Sequence, residues 1–378
     1  MDTPIRRQYL EIKRRYPQAI VFFRLGDFYE TFDDDAKLVA RELDITLTSK
    51  PMGKDLRVPL AGVPHHSLDA HLKKLVSRGF KVAVCEQMED PRKAKGIVDR
   101  DVVRVVTPGT VVEESLVPAA ANNYLVAVAP PTSISSPPLR RPESGPGREV
   151  FGLACVDVTT GEFSVAEVSE TELASEVARI APAEAVVPED GAFELSVACP
   201  TAPLDRRCFY LDEAERLLRQ HFGVASLDGL GLRGLRAAIS AAGAALAYLI
   251  DNQKAAAANV RELRVYNPGA YMALDPSTRR HLELLANARE GRSLGKGAGS
   301  LLDVIDCTKT AMGARLLQGW LGRPLVDPDA INARLDRVQH YVDDGLGRAR
   351  VRECLAPVPD VERIIGRVVA AQCSPRDL

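Results

Sequence analysis

The first 115 residues change hydrophobic period several times, and each change marks an element. Apolar positions recur at helical spacing over 5–15 and 68–78, the second run stopping at Gly79, a residue suited to a helix C-terminus. Compact apolar runs at 19–25, 81–86 and 102–106 predict strands. Gly26-Asp27 turns the chain from the first of these into a further strand over 28–32. Asp33 or Asp34 is placed to cap a helix reaching about Leu43, because a carboxylate accepts from the orphan amides of a first turn. This alternation of strand and helix predicts a mixed α/β module.

A second α/β unit begins at about residue 120. Strands are expected at 125–129, 151–158, 164–168 and 185–187, with a helix over 171–180. Residues 130–149 are dense in Pro, Ser, Gly and Arg and cannot bury enough apolar surface to offset chain entropy, so they read as a long disordered loop within this unit. From about 255 the pattern is almost wholly helical. Asp275-Pro276 opens an apolar run over 274–285, and runs at 301–321, 328–343 and 361–373 share its spacing. The fold class is therefore α/β plus all-α.

Charge changes little in this picture. The chain has 378 residues, enough for two or three domains, and its 49 basic and 51 acidic residues leave a formal charge of −2. Residues 1–112 are mildly basic, with 20 Lys or Arg against 16 Asp or Glu. The segment 92–100 reads as a basic loop, suited to phosphates or to plain exposure. The start of the chain lacks the pattern of a signal peptide. The Ala-rich stretch 237–250 is too interrupted, by Arg236, Ser240 and Gly243, to span a membrane. The 7 cysteines have no CxxC spacing and sit mostly among apolar neighbours, as free thiols do in a reducing compartment, so the expected location is cytoplasmic.

Most of the chemistry-bearing residues point nowhere. The 6 histidines form no HExxH, Ser-His-Asp or Cys-His arrangement. The Gly-rich stretch 291–300 contains Lys296, but its spacing departs from GxxxxGK followed by Ser or Thr, so it reads as a helix connection and not a phosphate loop. Asp157 lies on a predicted strand and is followed by Thr159-Thr160-Gly161, and no converging set of carboxylates accompanies it, as a metal site would need. No catalytic residue and no metal ligand is assigned.

One short segment stands apart. In Phe28-Tyr29-Glu30 an aromatic and a carboxylate lie two positions apart on a strand, so they share a face about 6.6 Å apart, with Tyr29 opposite. An apolar wedge beside an acidic hydrogen-bonding group suits insertion between base steps of a duplex. The other reading is an amphipathic strand with Phe28 in the core and Glu30 at its edge.

The surrounding sequence resembles the amino-terminal half of the MutS family of DNA mismatch repair proteins. The resemblance is carried by Phe22-Phe23-Arg24-Leu25-Gly26-Asp27-Phe28-Tyr29-Glu30, with its Phe-x-Glu motif at Phe28 and Glu30, then by Leu60-Ala61-Gly62-Val63-Pro64-His65-His66. Val84-Cys85-Glu86-Gln87-Met88-Glu89-Asp90-Pro91 and Val103-Arg104-Val105-Val106-Thr107-Pro108-Gly109-Thr110 follow in family order, as do 302–308 and 312–321 downstream. The resemblance implies a mismatch-recognition domain over 1–115, a ribonuclease H-like connector domain over 120–250 and the start of a helical core and lever domain over 255–378. It implies that Phe28 wedges at a mispaired or unpaired base in duplex DNA and that Glu30 bonds the displaced base. Arg24, Arg57 and Arg104 are expected either to touch the DNA backbone or to pair with local acids. The chain is expected to be a fragment without clamp or ATPase domain and to need no cofactor itself. ATP and Mg2+, a MutL-type repair partner and a self-dimer are implied for the full-length family. Two rivals remain: a protein-interaction fragment without DNA competence, and a metal-dependent nuclease of the ribonuclease H type centred on Asp157.

Overall fold

The computed structural model describes residues 3–52, 57–89, 98–113, 116–131, 150–191, 193, 195, 199–287, 299–370 and 373. Most of the basic segment 92–100, the Pro/Ser-rich 132–149 and the Gly-rich 291–298 lie outside the described residues. The chain divides into two compact units, Met1–Leu116 with Leu249–Lys254, and Val117–Tyr248 with Ala255–Leu378.

The first unit is built on a six-stranded mixed sheet. Its elements are α1 (Pro4–Arg15), β1 (Ile20–Leu25), β2 (Phe28–Phe32), α2 (Asp33–Leu43), β3 (Thr48–Pro51), β4 (Arg57–Pro64), α3 (Leu68–Val76), β5 (Val82–Gln87) and β6 (Arg100–Val106). The strand order is β3-β4-β2-β1-β5-β6, with β1 and β5 parallel and the other neighbours antiparallel. The β1–β2 hairpin closes on two residues, Leu25 pairing with Phe28. Gly26 has φ +61° at the first central position, where a tight hairpin of this twist needs a positive φ.

Tyr9 and Ile12 of α1 are buried against Val21, Phe23 and Phe32, with the Tyr9 ring edge-on to Phe32 at 4.8 Å and to Phe23 at 5.9 Å. A buried polar node ties this core together. Asp35 accepts from the Val21 amide at 3.0 Å, the Tyr9 hydroxyl at 3.0 Å and Lys13 Nζ at 2.8 Å. Burial, reinforced by the Asp35 charge, pushes the Tyr9 hydroxyl far above its ordinary pKa.

The expected cap of α2 is not made by Asp33 or Asp34. The helix has no side-chain cap; Asp33 adopts φ +56° and pairs with Arg6 at 3.1 Å, while Asp34 pairs with Lys37 at 2.9 Å. Nearby cations outcompete the first-turn amides for these carboxylates, which still lie near the positive end of the helix dipole.

The second unit holds β7 (Leu125–Ala129), β8 (Val150–Asp157), β9 (Glu162–Ser169), α4 (Glu170–Ile180), β10 (Glu184–Pro188), β11 (Thr201–Leu204), α5 (Leu211–Phe222), α6 (Arg236–Ala257) and β12 (Arg264–Val265). Its sheet runs β11-β10-β7-β8-β9-β12. Leu173, Val177 and Ile180 of α4 bury one face of β7 and β8. The Ala-rich stretch, read in the sequence only as unable to cross a membrane, is the buried body of α6, covered on all sides over 237–246. Small residues let it approach closely: a Cβ on Gly152 of β8 would lie 1.8 Å from the Ala237 carbonyl oxygen, and one on Gly243 would lie 2.3 Å from Ala214 Cβ. Among the described residues no helix is long and apolar enough to cross a membrane.

The helical expectation after residue 255 meets an exception, because Arg264–Val265 pairs parallel with β9 and belongs to the second sheet. Beyond it come α7 (Pro276–His281), α8 (Leu301–Ile305), α9 (Ala311–Gly322), α10 (Pro328–Asp343), α11 (Gly345–Leu355) and α12 (Val361–Val369). The run 274–285 yields only the short α7, which ends before Glu283 at φ +47°. The run 301–321 is two helices: Asp306 folds back on the Thr308 amide at 2.9 Å, and Thr310 caps a new helix at the Gly313 amide, 3.0 Å away. A buried arginine pair ties these helices to 117–121. Arg315 binds Asp360 at 2.6 Å, Glu362 at 2.6 Å and the Ala119 carbonyl at 2.9 Å, and Arg363 reaches the carbonyls of Pro118, at 2.9 Å, and Ala121.

Candidate functional site

Strand β2 alternates sharply. Tyr29 and Thr31 are buried on one face; Phe28, Glu30 and Phe32 occupy the other, together with their cross-strand neighbours Phe23 and Gly62. That second face is not uniformly open. Phe32 and Phe23 are covered by Tyr9 and Ile12 of α1, whereas Phe28, at the turn, is 47% exposed. Phe28 therefore sits on a core face at the point where the covering helix gives out.

An open groove of about 640 Å3 runs beside it, lined by Phe28, Glu30, Asp44, Ile45, Thr46, Thr48, Leu60 and Gly62. Gly62 pairs with Glu30 across the sheet, and with no side chain there the groove floor stays low. Asp44 ends α2 at φ +55°, turning the chain so that Ile45 and Thr46 form the opposite wall.

Glu30 is not free. Lys50 Nζ, from the edge strand β3, lies 3.0 Å from one carboxylate oxygen and 3.3 Å from the other, with the Glu30 side chain 16% and that of Lys50 40% exposed. Neither Lys50 nor Gly62 was singled out from the sequence for a role at this site. The available signal was weak: a lysine on the short polar strand after the helix, whose partner emerges only from the β3-β4-β2 order.

The three arginines go elsewhere. Arg24 pairs across the hairpin with Tyr29, on the opposite face from Phe28; its Nε donates to the Gly26 carbonyl at 2.6 Å and its guanidinium lies 5.1 Å from the Tyr29 ring centre. Tyr29 in turn donates to Glu86, and burial, with that carboxylate, pushes its hydroxyl up to about 12. Arg57 is exposed at the far end of β4 and holds Ser49 through Oγ at 3.0 Å and the carbonyl at 3.1 Å. Arg104 is on β6, separated from β2 by two strands, and pairs with the buried Glu113 at 3.1 Å.

In the second unit Asp157 is fully buried and its two oxygens are occupied. One accepts from the Thr159 amide at 2.9 Å and hydroxyl at 2.6 Å; the other accepts from Asn122 Nδ2 at 2.9 Å and the Asn123 amide at 3.0 Å. Among the described residues no group of three or more His, Cys, Asp or Glu could hold a metal ion. Asp157 organises the turn after β8.

Three family models match the chain in order: MutS domain I over residues 3–115, MutS domain II over 123–262 and MutS domain III over 277–378. The chain belongs to the MutS family, whose members act in DNA mismatch repair. Among its relatives, the DNA mismatch repair protein MutS of Symbiobacterium thermophilum is 47% identical over 388 residues, an alignment that takes in all of this chain and 42% of the relative. The proteins of the same name from Methanosarcina acetivorans and Dehalococcoides mccartyi are each 42% identical, again over the whole chain and 42% of their own length. The chain thus spans about two-fifths of the curated relatives it matches.

Proposed function

We propose that this chain recognises mispaired or unpaired bases in duplex DNA, with Phe28 as the wedge and Glu30 as the contact to the displaced base, and so serves the first step of mismatch repair. The observation that carries the reading is the exposure of Phe28 beside Glu30 above an open groove, on a strand whose other side chains are buried. A well-paired step resists unstacking, whereas a mismatch yields to an inserted ring at lower cost, so discrimination comes largely from the deformability of the DNA. Glu30 supplies the polar atom that a ring lacks.

Phosphate contacts hold the protein in register, and on this reading Arg57 is the best placed of the three arginines, being exposed and, among the described residues, bonded to Ser49 alone. Arg24 and Arg104 already serve the fold, the first against Tyr29 and the second against Glu113. The second unit is proposed to act as a ribonuclease H-like connector without catalysis, and the helices after residue 275 as the beginning of a core and lever. A MutL-type partner, self-dimerisation and an ATPase using ATP and Mg2+ are proposed for the full-length protein. The Gly-rich stretch 291–300 lacks the GxxxxGK spacing followed by Ser or Thr that cradles a nucleotide phosphate.

The nuclease reading finds little support, because every oxygen of Asp157 that would meet a metal already accepts from a protein donor. The deciding experiment is a titration of the purified chain against fluorescent duplexes, identical except for one G·T mispair, at low salt. The reading expects tighter binding to the mispaired duplex. Equal binding to both would favour the interaction-fragment rival.

A further inference from the structure

We propose that Lys50 is a charge latch on Glu30, released when DNA docks, and hence a determinant of mismatch discrimination. The inference rests on the recognition reading above and names a residue that reading did not include.

A carboxylate carried into a groove lined by phosphates meets repulsion, and an unpaired Glu30 would oppose the approach of any duplex. Lys50 removes that obstacle in the free protein by holding both oxygens, at 3.0 and 3.3 Å. The pair is partly solvated, its lysine side chain 40% exposed, so it adds little to stability and is easily exchanged. Lysine is suited to exchange: a compact ammonium with three donors on a flexible four-carbon stem. The arginines named in the sequence lie on another face or in other strands, and among the described residues Lys50 is the cation paired with the Glu30 carboxylate.

On docking, the ammonium trades the carboxylate for a phosphodiester oxygen, and the carboxylate, freed, accepts from a donor on the displaced base. Charge is conserved, since one ion pair is exchanged for another and Glu30 gains a hydrogen bond in place of its lysine. At a well-paired step no base is displaced and Glu30 gains no such bond, so the exchange runs forward fully only at a mispair. The edge position of β3 gives the lysine room to move.

The test titrates the wild-type chain, Lys50→Gln, Lys50→Arg and Lys50→Gln/Glu30→Gln against homoduplex and G·T heteroduplex over a salt series. Lys50→Gln is expected to lower the slope of log K against log salt by about 1 on the heteroduplex, where the lysine reaches a phosphate, to weaken homoduplex binding about threefold or more because Glu30 is left unneutralised, and to narrow the preference for heteroduplex. Lys50→Arg is expected to retain the wild-type slope. Adding Glu30→Gln to Lys50→Gln should restore homoduplex affinity, because the carboxylate that Lys50 had neutralised is gone. A wild-type slope in Lys50→Gln, or no recovery in the double variant, would overturn the latch while leaving the recognition reading intact. Equal binding of wild type to both duplexes would overturn that reading and the latch with it. A fall in melting temperature of Lys50→Gln beyond about 5 °C would assign the pair to the fold instead, since a half-exposed ion pair is worth less than that.

Discussion

Replacing Phe28 by Ala separates a wedge from a core residue, because the two roles differ in what the protein loses. With 47% of the residue exposed, about half of the roughly 200 Å2 of a phenylalanine is out of water. At about 25 cal/mol per Å2 this burial amounts to some 2.5 kcal/mol, and an alanine keeps part of it. The variant should therefore lose about 1 to 2 kcal/mol of stability, against about 3 to 5 kcal/mol for a fully buried ring. The loss in recognition should be larger in kind. One forfeited stacking contact costs about 1 to 3 kcal/mol, or roughly 5- to 150-fold in the ratio of heteroduplex to homoduplex affinity, while phosphate contacts are untouched. Urea unfolding gives the first quantity and fluorescence anisotropy on paired duplexes the second. A Phe28→Ala protein that unfolds with a core-sized penalty yet keeps its full mismatch preference when folded would refute the wedge assignment.

Three further substitutions test other parts of the structure. Gly62→Ala should fold normally, within about 0.5 kcal/mol of wild type, because its Cβ meets the Tyr29 carbonyl and Glu30 Cγ at ordinary distances of 3.4 and 3.5 Å; it should still reduce mismatch preference by raising the groove floor, and unchanged binding would argue against a base entering there. Gly152→Ala should cost about 1 to 3 kcal/mol in a denaturant titration, since the new Cβ would lie 1.8 Å from the Ala237 carbonyl oxygen and helix α6 must shift; a wild-type midpoint would show that contact to be looser than described. Burial alone would raise the Asp360 carboxyl, but hydrogen bonds from Arg315 outweigh it and hold the group below its ordinary range. A depressed folded value contributes stability above the unfolded carboxylate pKa and loses it as pH falls through the folded one. Wild type should accordingly lose stability more steeply than Asp360→Asn between neutral pH and the acidic side of the carboxylate range, and parallel pH profiles would refute the assignment.

Where the sequence was legible, a local rule decided the outcome. A compact apolar run and a Gly-Asp turn placed β1 and β2, and strand alternation set Tyr29 opposite Phe28; Asp275-Pro276 marked the start of α7. The failures arose where side-chain contacts beyond the local pattern decided, most of them to residues distant in sequence. Asp33 and Asp34 sit where caps belong, but Arg6 and Lys37 claim them. The small residues of α6 could only be read as unfit for a membrane, because the surfaces they approach, on β8 and α5, lie far away in sequence. At the candidate site, Phe28 and Glu30 were singled out through a tripeptide and the family resemblance around it, while Lys50 and Gly62 required knowing that β4 and then β3 lie beside β2. The exposure of Phe28 depended on where α1 ceases to cover the sheet, a fact no strand pattern contains.

The sharing of one sheet face by Phe28 and the buried Phe32 has a consequence for how such a site is inherited. A one-residue slip of β2 would bring Phe28 and Glu30 to the other face, and would at the same time force Tyr29 and Thr31 out of their burial and Phe32 away from Tyr9. The penalty for misaligning the proposed recognition pair thus falls on folding before any DNA is met. Insertions and deletions in the hairpin are screened by the protein's own solubility, and descendants that fold keep the pair pointing the same way. What remains open to change is the identity of single side chains at positions 28, 30, 50 and 62, so divergence of recognition should proceed by substitution at a fixed geometry.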